Sequence, residues 1–90
     1  MTLRDILDDT HALTRDIEAY ERKYGVLSET FYRAYSAGEE PADDSWVLDW
    51  AGWAGAYKTL LRRQEQYGRL MRAVEQESRS LGEAIAKAAR

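Results

Sequence analysis

Seam-type positions recur along the first two dozen residues with a spacing of three and four: Leu3, Ile6, Thr10, Leu13, Ile17, Tyr20 and Tyr24. That alternation is an a/d heptad seam with one polar a position, and it predicts a helix over about residues 2–24. Thr2 fits its N-cap, and Gly25, directly after the last seam residue, fits its C-terminal stop. Beyond the glycine, Ser28 reads as the N-cap of a short helix over 28–37. Leu27 and Tyr32 would form its hydrophobic staple, with Phe31, Ala34 and Tyr35 on one face. Gly38 closes that helix, and Glu39-Glu40-Pro41-Ala42-Asp43-Asp44 is a loop whose acidic end suits the start of another helix.

A second seam follows: Trp46, Trp50, Trp53, Tyr57, Leu60, Gln64, Tyr67, Met71, Val74, Ser78, Leu81, Ile85 and Ala88. Its phase is unbroken, so a third helix is predicted over about residues 44–89. Gly52 and Gly55 lie inside it, although glycine costs a helix about 1 kcal/mol relative to alanine. Both fall on the face away from the seam, with Ala51 and Ala54 beside them. Small residues there would form a shallow saddle that a second backbone or a large side chain can approach. Thr10, Gln64 and Ser78 are polar interruptions of the kind that set register and strand number.

The fold expected is all-α: a single helical domain over residues 1–90, built as a long heptad-patterned antiparallel hairpin with a short helix between its arms. At about 1.5 Å per residue, the third helix would be roughly 65 Å long and the first roughly 33 Å. Val47, Leu61 and Leu70 widen the apolar stripe to that of a bundle, which a chain this short cannot close alone. A partner is therefore expected: a second copy, another protein, or both.

Charge sharpens the picture. Residues 1–50 carry net −7 and residues 51–90 net +4, within an overall −3. Such polarity favours contact between opposite halves, within or between chains. Nucleic acid is not an expected partner of this chain alone, because the acidic half opposes phosphate approach. No apolar run approaches the roughly 20 residues that span a bilayer, and the N-terminus lacks a signal-peptide pattern, so a cytoplasmic, membrane-free protein is expected. Without cysteine there is no thiolate metal site or disulfide.

Candidate chemistry is sparse. His11 stands alone at an outer position, and Asp8-Asp9, Glu39-Glu40 and Asp43-Asp44 lack metal-loop spacing. No phosphate loop or nucleophile motif occurs, so neither enzymatic activity nor a cofactor is expected. Lys58, Arg62, Arg69 and Arg72 line one outer face with Glu65 among them, the pattern of a solvated face with i,i+4 pairs. The expected binding surface is instead aromatic: Phe31, Tyr32, Tyr35, Trp46, Trp50 and Trp53, with Gly52 and Gly55 admitting a partner closely. Trp and Tyr are residues that anchor interfaces.

Residues 20–60 contain Glu21-Arg22-Lys23-Tyr24-Gly25, then Ser28 with Phe31-Tyr32, Gly38-Glu39, Asp43-Asp44, and Trp50-Ala51 before Tyr57. This order resembles small helical antitoxins of type II toxin–antitoxin pairs encoded beside TumE-like toxins. The resemblance implies binding and neutralising a toxin protein, with autorepression as a complex. Two other classes fit the pattern. One is a self-assembling coiled-coil scaffold. The other is the Trp-x-Gly family of small helical-hairpin secretion substrates, which Trp50-Ala51-Gly52 resembles. That family carries its signature in a hairpin turn, whereas here the seam passes through it.

Overall fold

The computed structural model describes residues 1–89. Among these it contains four α-helices: α1 (Leu3–Tyr24), α2 (Ser28–Ser36), α3 (Val47–Gln76) and α4 (Leu81–Ala88), with a 3-10 turn at Asp44–Trp46 leading into α3. The molecule is elongated, 53 × 21 × 21 Å.

Local chemistry sets the ends of α1. Thr2 and Asp5 form a capping box, in which the Asp5 N–H donates to Thr2 Oγ1 (3.1 Å) and the Thr2 N–H to Asp5 Oδ2 (3.0 Å). At the other end Gly25 takes the left-handed conformation (φ 73°) and its N–H donates to the Glu21 carbonyl. The chain then turns back, and α1 and α3 run in opposite senses. Lys23 meets Asp49 at 2.6 Å near one end, and Arg63 meets Asp9 at 3.2 Å further along. Every α1 seam residue lies on the packed face, with Ile6 and Ile17 buried.

α3 runs unbroken through Gly52 and Gly55. Its buried face follows the predicted seam through Trp46, Trp50, Trp53, Tyr57 and Leu60, but Gln64 and Tyr67 are exposed while Arg63 and Gln66 are partly covered. Further on, the seam residues Met71 and Val74 are partly covered again, so the departure is confined to residues 63–67. The polar seam residues do not pair across helices as register devices. Thr10 Oγ1 donates to the Ile6 carbonyl (2.7 Å) and Ser78 Oγ to the Val74 carbonyl (2.6 Å), while Gln64 faces solvent.

The predicted helix over 44–89 needs a second correction. It ends at Gln76, and α4 begins after an extended Ser80 (φ −157°) whose Oγ accepts from the Glu83 N–H at 3.1 Å. The Glu83 carboxylate in turn accepts from the Arg79 N–H (3.2 Å), and Lys87 Nζ donates to the Glu77 carbonyl freed by the break. Folding back reverses the role of the last seam residues. Ala84 is buried, whereas Leu81 and Ile85 are 69% and 58% exposed.

Candidate functional site

The aromatic end is organised around Trp53, which is completely buried. Phe31 of α2 lies parallel to its ring at a centroid distance of 3.8 Å, and Tyr20 and Tyr24 of α1 stack at 5.8 and 5.7 Å. Trp50 meets Phe31 edge-on at 5.2 Å, Trp46 stacks on Trp50 at 6.0 Å, and Tyr24 meets Trp46 edge-on at 5.6 Å. Offset and edge-to-face pairs of this kind add about 0.5–1.5 kcal/mol each beyond area burial.

A buried hydrogen-bond chain ties the three helices together here. Trp53 Nε1 donates to Ser28 Oγ (2.8 Å), and both Ser28 Oγ and the Ser28 backbone N–H donate to Glu21 Oε2 (2.8 Å each). Ser28 is therefore the first residue of α2 and not its N-cap. Leu27 holds the cap position without a side-chain bond and is 69% exposed, so it forms no staple with Tyr32. The cap is supplied from α1, where the Glu21 carboxylate sits at the positive end of α2. Trp50 Nε1, by contrast, is buried without a hydrogen-bond partner among the described residues.

The glycines serve the fold in different ways. A Cβ on Gly52 would lie 2.8 Å from Tyr20 Oη, so the close approach at this position is made by the chain's own α1. Gly55 faces open space. Ala54, expected beside the saddle on the outer face, is buried in the aromatic core, because it lies one turn after Trp50 and flanks the seam. Phe31 and Trp53 are likewise core residues and offer a partner almost no surface. Tyr32, Tyr35, Trp46 and Trp50 are half-buried.

Around the core lies a surface that the helical spacing did not single out. A pocket of about 240 Å³ opens between the α1–α2 turn and the start of α3, lined by Tyr24, Val26, Thr30, Phe31, Ala34, Glu39, Trp46, Trp50 and Trp53. On one side of it Asp49 Oδ2 accepts from Lys23 Nζ (2.6 Å) and from the Tyr24 hydroxyl (2.7 Å). Those two bonds hold the Asp49 carboxyl below its ordinary range. Burial, and then the bond to Asp49, push the Tyr24 phenol up to about 12. Lys23 Nζ also sits 5.6 Å from the Tyr24 ring centroid. Val26, Leu27, Val47 and Leu48 are exposed at this end, Leu48 at 85%. The available signal was the run of acids over 39–49 interleaved with aromatic and aliphatic residues.

Elsewhere the charged groups behave as a solvated surface. Lys58, Arg62, Arg69 and Arg72 are exposed, with Arg69 3.6 Å from Glu65 one turn away, and His11 is exposed. Among the described residues no cluster of His, Cys, Asp or Glu is arranged to hold a metal, and no helix is long and apolar enough to cross a membrane. No protein-family model matches the chain, and neither does any curated protein or solved structure.

Proposed function

We propose that this chain is a non-enzymatic protein-binding module, a cytoplasmic antitoxin that binds and neutralises a toxin protein encoded beside it. The observation that carries the reading is a set of exposed apolar side chains at the aromatic end. Leu27 and Leu48 are 69% and 85% exposed, with Val26 and Val47 beside them in sequence and also exposed. Large aliphatic groups left outside a rigid aromatic core are what a protein partner covers. They fall within residues 20–60, where the resemblance to antitoxins lies. Surface and resemblance thus converge on one end of the molecule.

The heptad seams support treating α1 and α3 as an antiparallel coiled coil, with α2 as a third strand over part of its length. Tyr67, Leu70, Leu81 and Ile85, exposed toward the other end, favour a second copy of the chain there. That same observation supports the scaffold reading, in which self-association is the whole function.

Co-expression of the chain with the product of the adjacent gene, followed by co-purification, tests the proposal. Leu27→Glu/Leu48→Glu should fold as judged by circular dichroism, since both side chains lie outside the core. It should lose the partner, because the contact would bury charge. A double variant that folds and retains its partner as tightly as the parent chain refutes the assigned surface. A stable homo-oligomer indifferent to that variant, with no protein co-purifying, favours the scaffold.

A further inference from the structure

The aromatic pocket has a chemistry more specific than that of an apolar surface. Its volume, about 240 Å³, is below the roughly 300–1,000 Å³ of sites for drug-sized ligands, and suits one long side chain. Half-buried Tyr24, Trp46 and Trp50 line it over the buried Phe31–Trp53 pair, and one carboxylate, Glu39, is among its lining groups. Tyr24 stands at 81° to Trp46, and Phe31 at 83° to Trp50, so aromatic groups bound the space in two directions.

The segment that supplies Glu39 is acidic. Residues 39–49 contain five acidic side chains and no basic one. Asp49 is paired with Lys23, while Glu39, Glu40 and Asp44 form no ion pair among the described residues. An aliphatic guest would strip water from Glu39 without giving it a partner. A cationic guest satisfies the carboxylate and is attracted to the ring faces. The chain already uses this pairing beside the pocket, where Lys23 meets both the Tyr24 ring and the Asp49 carboxylate. Between the two cations, guanidinium is planar, more weakly hydrated and able to stack on indole while bonding a carboxylate.

We propose that this pocket receives an arginine side chain from a basic partner protein, with the aliphatic stem against Val26 and Ala34 and the guanidinium between the indoles and Glu39. The proposal rests on the protein-binding reading above and names the partner's chemistry: a basic surface facing the acidic 39–49 segment.

The probe is a blocked alanine peptide carrying two arginines, titrated into the isotopically labelled chain while the three indole N–H resonances are followed. Its twin replaces arginine by citrulline, which keeps the shape and removes the charge. The expected result is a saturable shift of the Trp46 and Trp50 indoles, with affinity about tenfold lower for citrulline. Glu39→Gln, an exposed substitution that leaves the aromatic core intact, should weaken the arginine peptide several-fold without altering the circular dichroism. Equal affinity of both peptides overturns the proposal, as does the absence of saturable indole shifts at millimolar peptide. So does indole broadening without peptide that Arg62→Gln/Arg72→Gln abolishes, because the arginine would then come from a second copy. Citrulline-indifferent binding alongside intact co-purification would place the partner on the aliphatic rim only. A peptide that binds as expected, with no co-purifying protein, would leave the pocket standing and remove the adjacent-gene toxin.

Discussion

Replacing Ser28 by alanine isolates the interaction that joins the three helices at the aromatic end. The hydroxyl accepts from Trp53 Nε1 at 2.8 Å and donates to Glu21 Oε2 at 2.8 Å, at a side chain that is 3% exposed. Alanine keeps helix propensity at the first position of α2, and Glu21 still receives the residue 28 backbone N–H. What changes is that the indole N–H of a wholly buried Trp53 loses its only acceptor. An orphaned buried donor costs about 1–3 kcal/mol, and the bond to an ionised carboxylate is at the upper end of hydrogen-bond contributions. A loss of about 2–3 kcal/mol is expected, which for a domain of this size lowers Tm by roughly 8–20 °C. Urea unfolding followed by tryptophan fluorescence should show a lower midpoint with an unchanged m-value. The cycle with Trp53→Phe assigns the cause. In that background there is no donor to orphan, so Ser28→Ala should cost at least about 1 kcal/mol less. If Ser28→Ala falls within about 0.5 kcal/mol of the parent, or adds independently to Trp53→Phe, the chain from Trp53 to Glu21 is not a stabilising unit.

Three further outcomes follow from particular contacts. Gly55→Ala should raise stability by about 0.5–1 kcal/mol, whereas Gly52→Ala should lose that gain to its clash with Tyr20 Oη 2.8 Å away. Tyr20→Phe should restore it, and thermal melts of the four variants decide the matter. The raised Tyr24 pKa, about 12 against an ordinary 10, means its contribution is whole below pH 10 and is lost as pH rises toward 12. An alkaline tyrosinate titration should contain a late phase that Tyr24→Phe removes, and a titration complete by pH 11 in the parent chain would contradict it. Ser80→Ala removes the α4 cap, worth about 0.5–2 kcal/mol locally, and should speed amide exchange in α4 while leaving Trp53 protected.

What could be read from the sequence was whatever a single segment encodes. Thr2 and Gly25 fix α1 because a capping box and a left-handed glycine are local devices, and the seam phase carried α3 correctly through both glycines. At residues 77–80 the heptad phase runs on but the helix does not. Ser80 caps α4 there, accepting from the Glu83 N–H, while the Glu83 carboxylate accepts from the Arg79 N–H. The remaining departures come from contacts between segments. Ser28 resembles an N-cap by its neighbours, but it is turned inward because α1 brings Glu21 and α3 brings Trp53 to it. Gly52 lies away from the seam and Ala54 flanks it, and nothing in α3 alone announces that Tyr20 comes close to the first or that the second is buried. Helical spacing marked the aromatic residues that gather at this end, but not their division between core and surface. Helical period gives the direction in which a side chain points, not what lies over it.

That division has a consequence for how the aromatic end would work. The walls of the pocket are set by the same contacts that stabilise the fold. Phe31 is fixed against Trp53, Tyr24 is held by Asp49, and Trp46 and Trp50 stack on one another. A guest therefore meets rings whose rotamer freedom was lost on folding, and less ordering entropy opposes binding. The same coupling makes the large aromatics poor probes of function, since truncating a buried aromatic costs about 3–5 kcal/mol of stability. Separable effects belong to exposed side chains, Glu39 and Val26 at the pocket and Leu27 and Leu48 outside it. A partner that binds only the folded surface must also stabilise the chain, by about 2.7 kcal/mol at a hundredfold excess over its Kd. A rise in Tm with partner, abolished by Leu27→Glu/Leu48→Glu while the isolated variant melts like the parent, would separate the binding surface from the core beneath it.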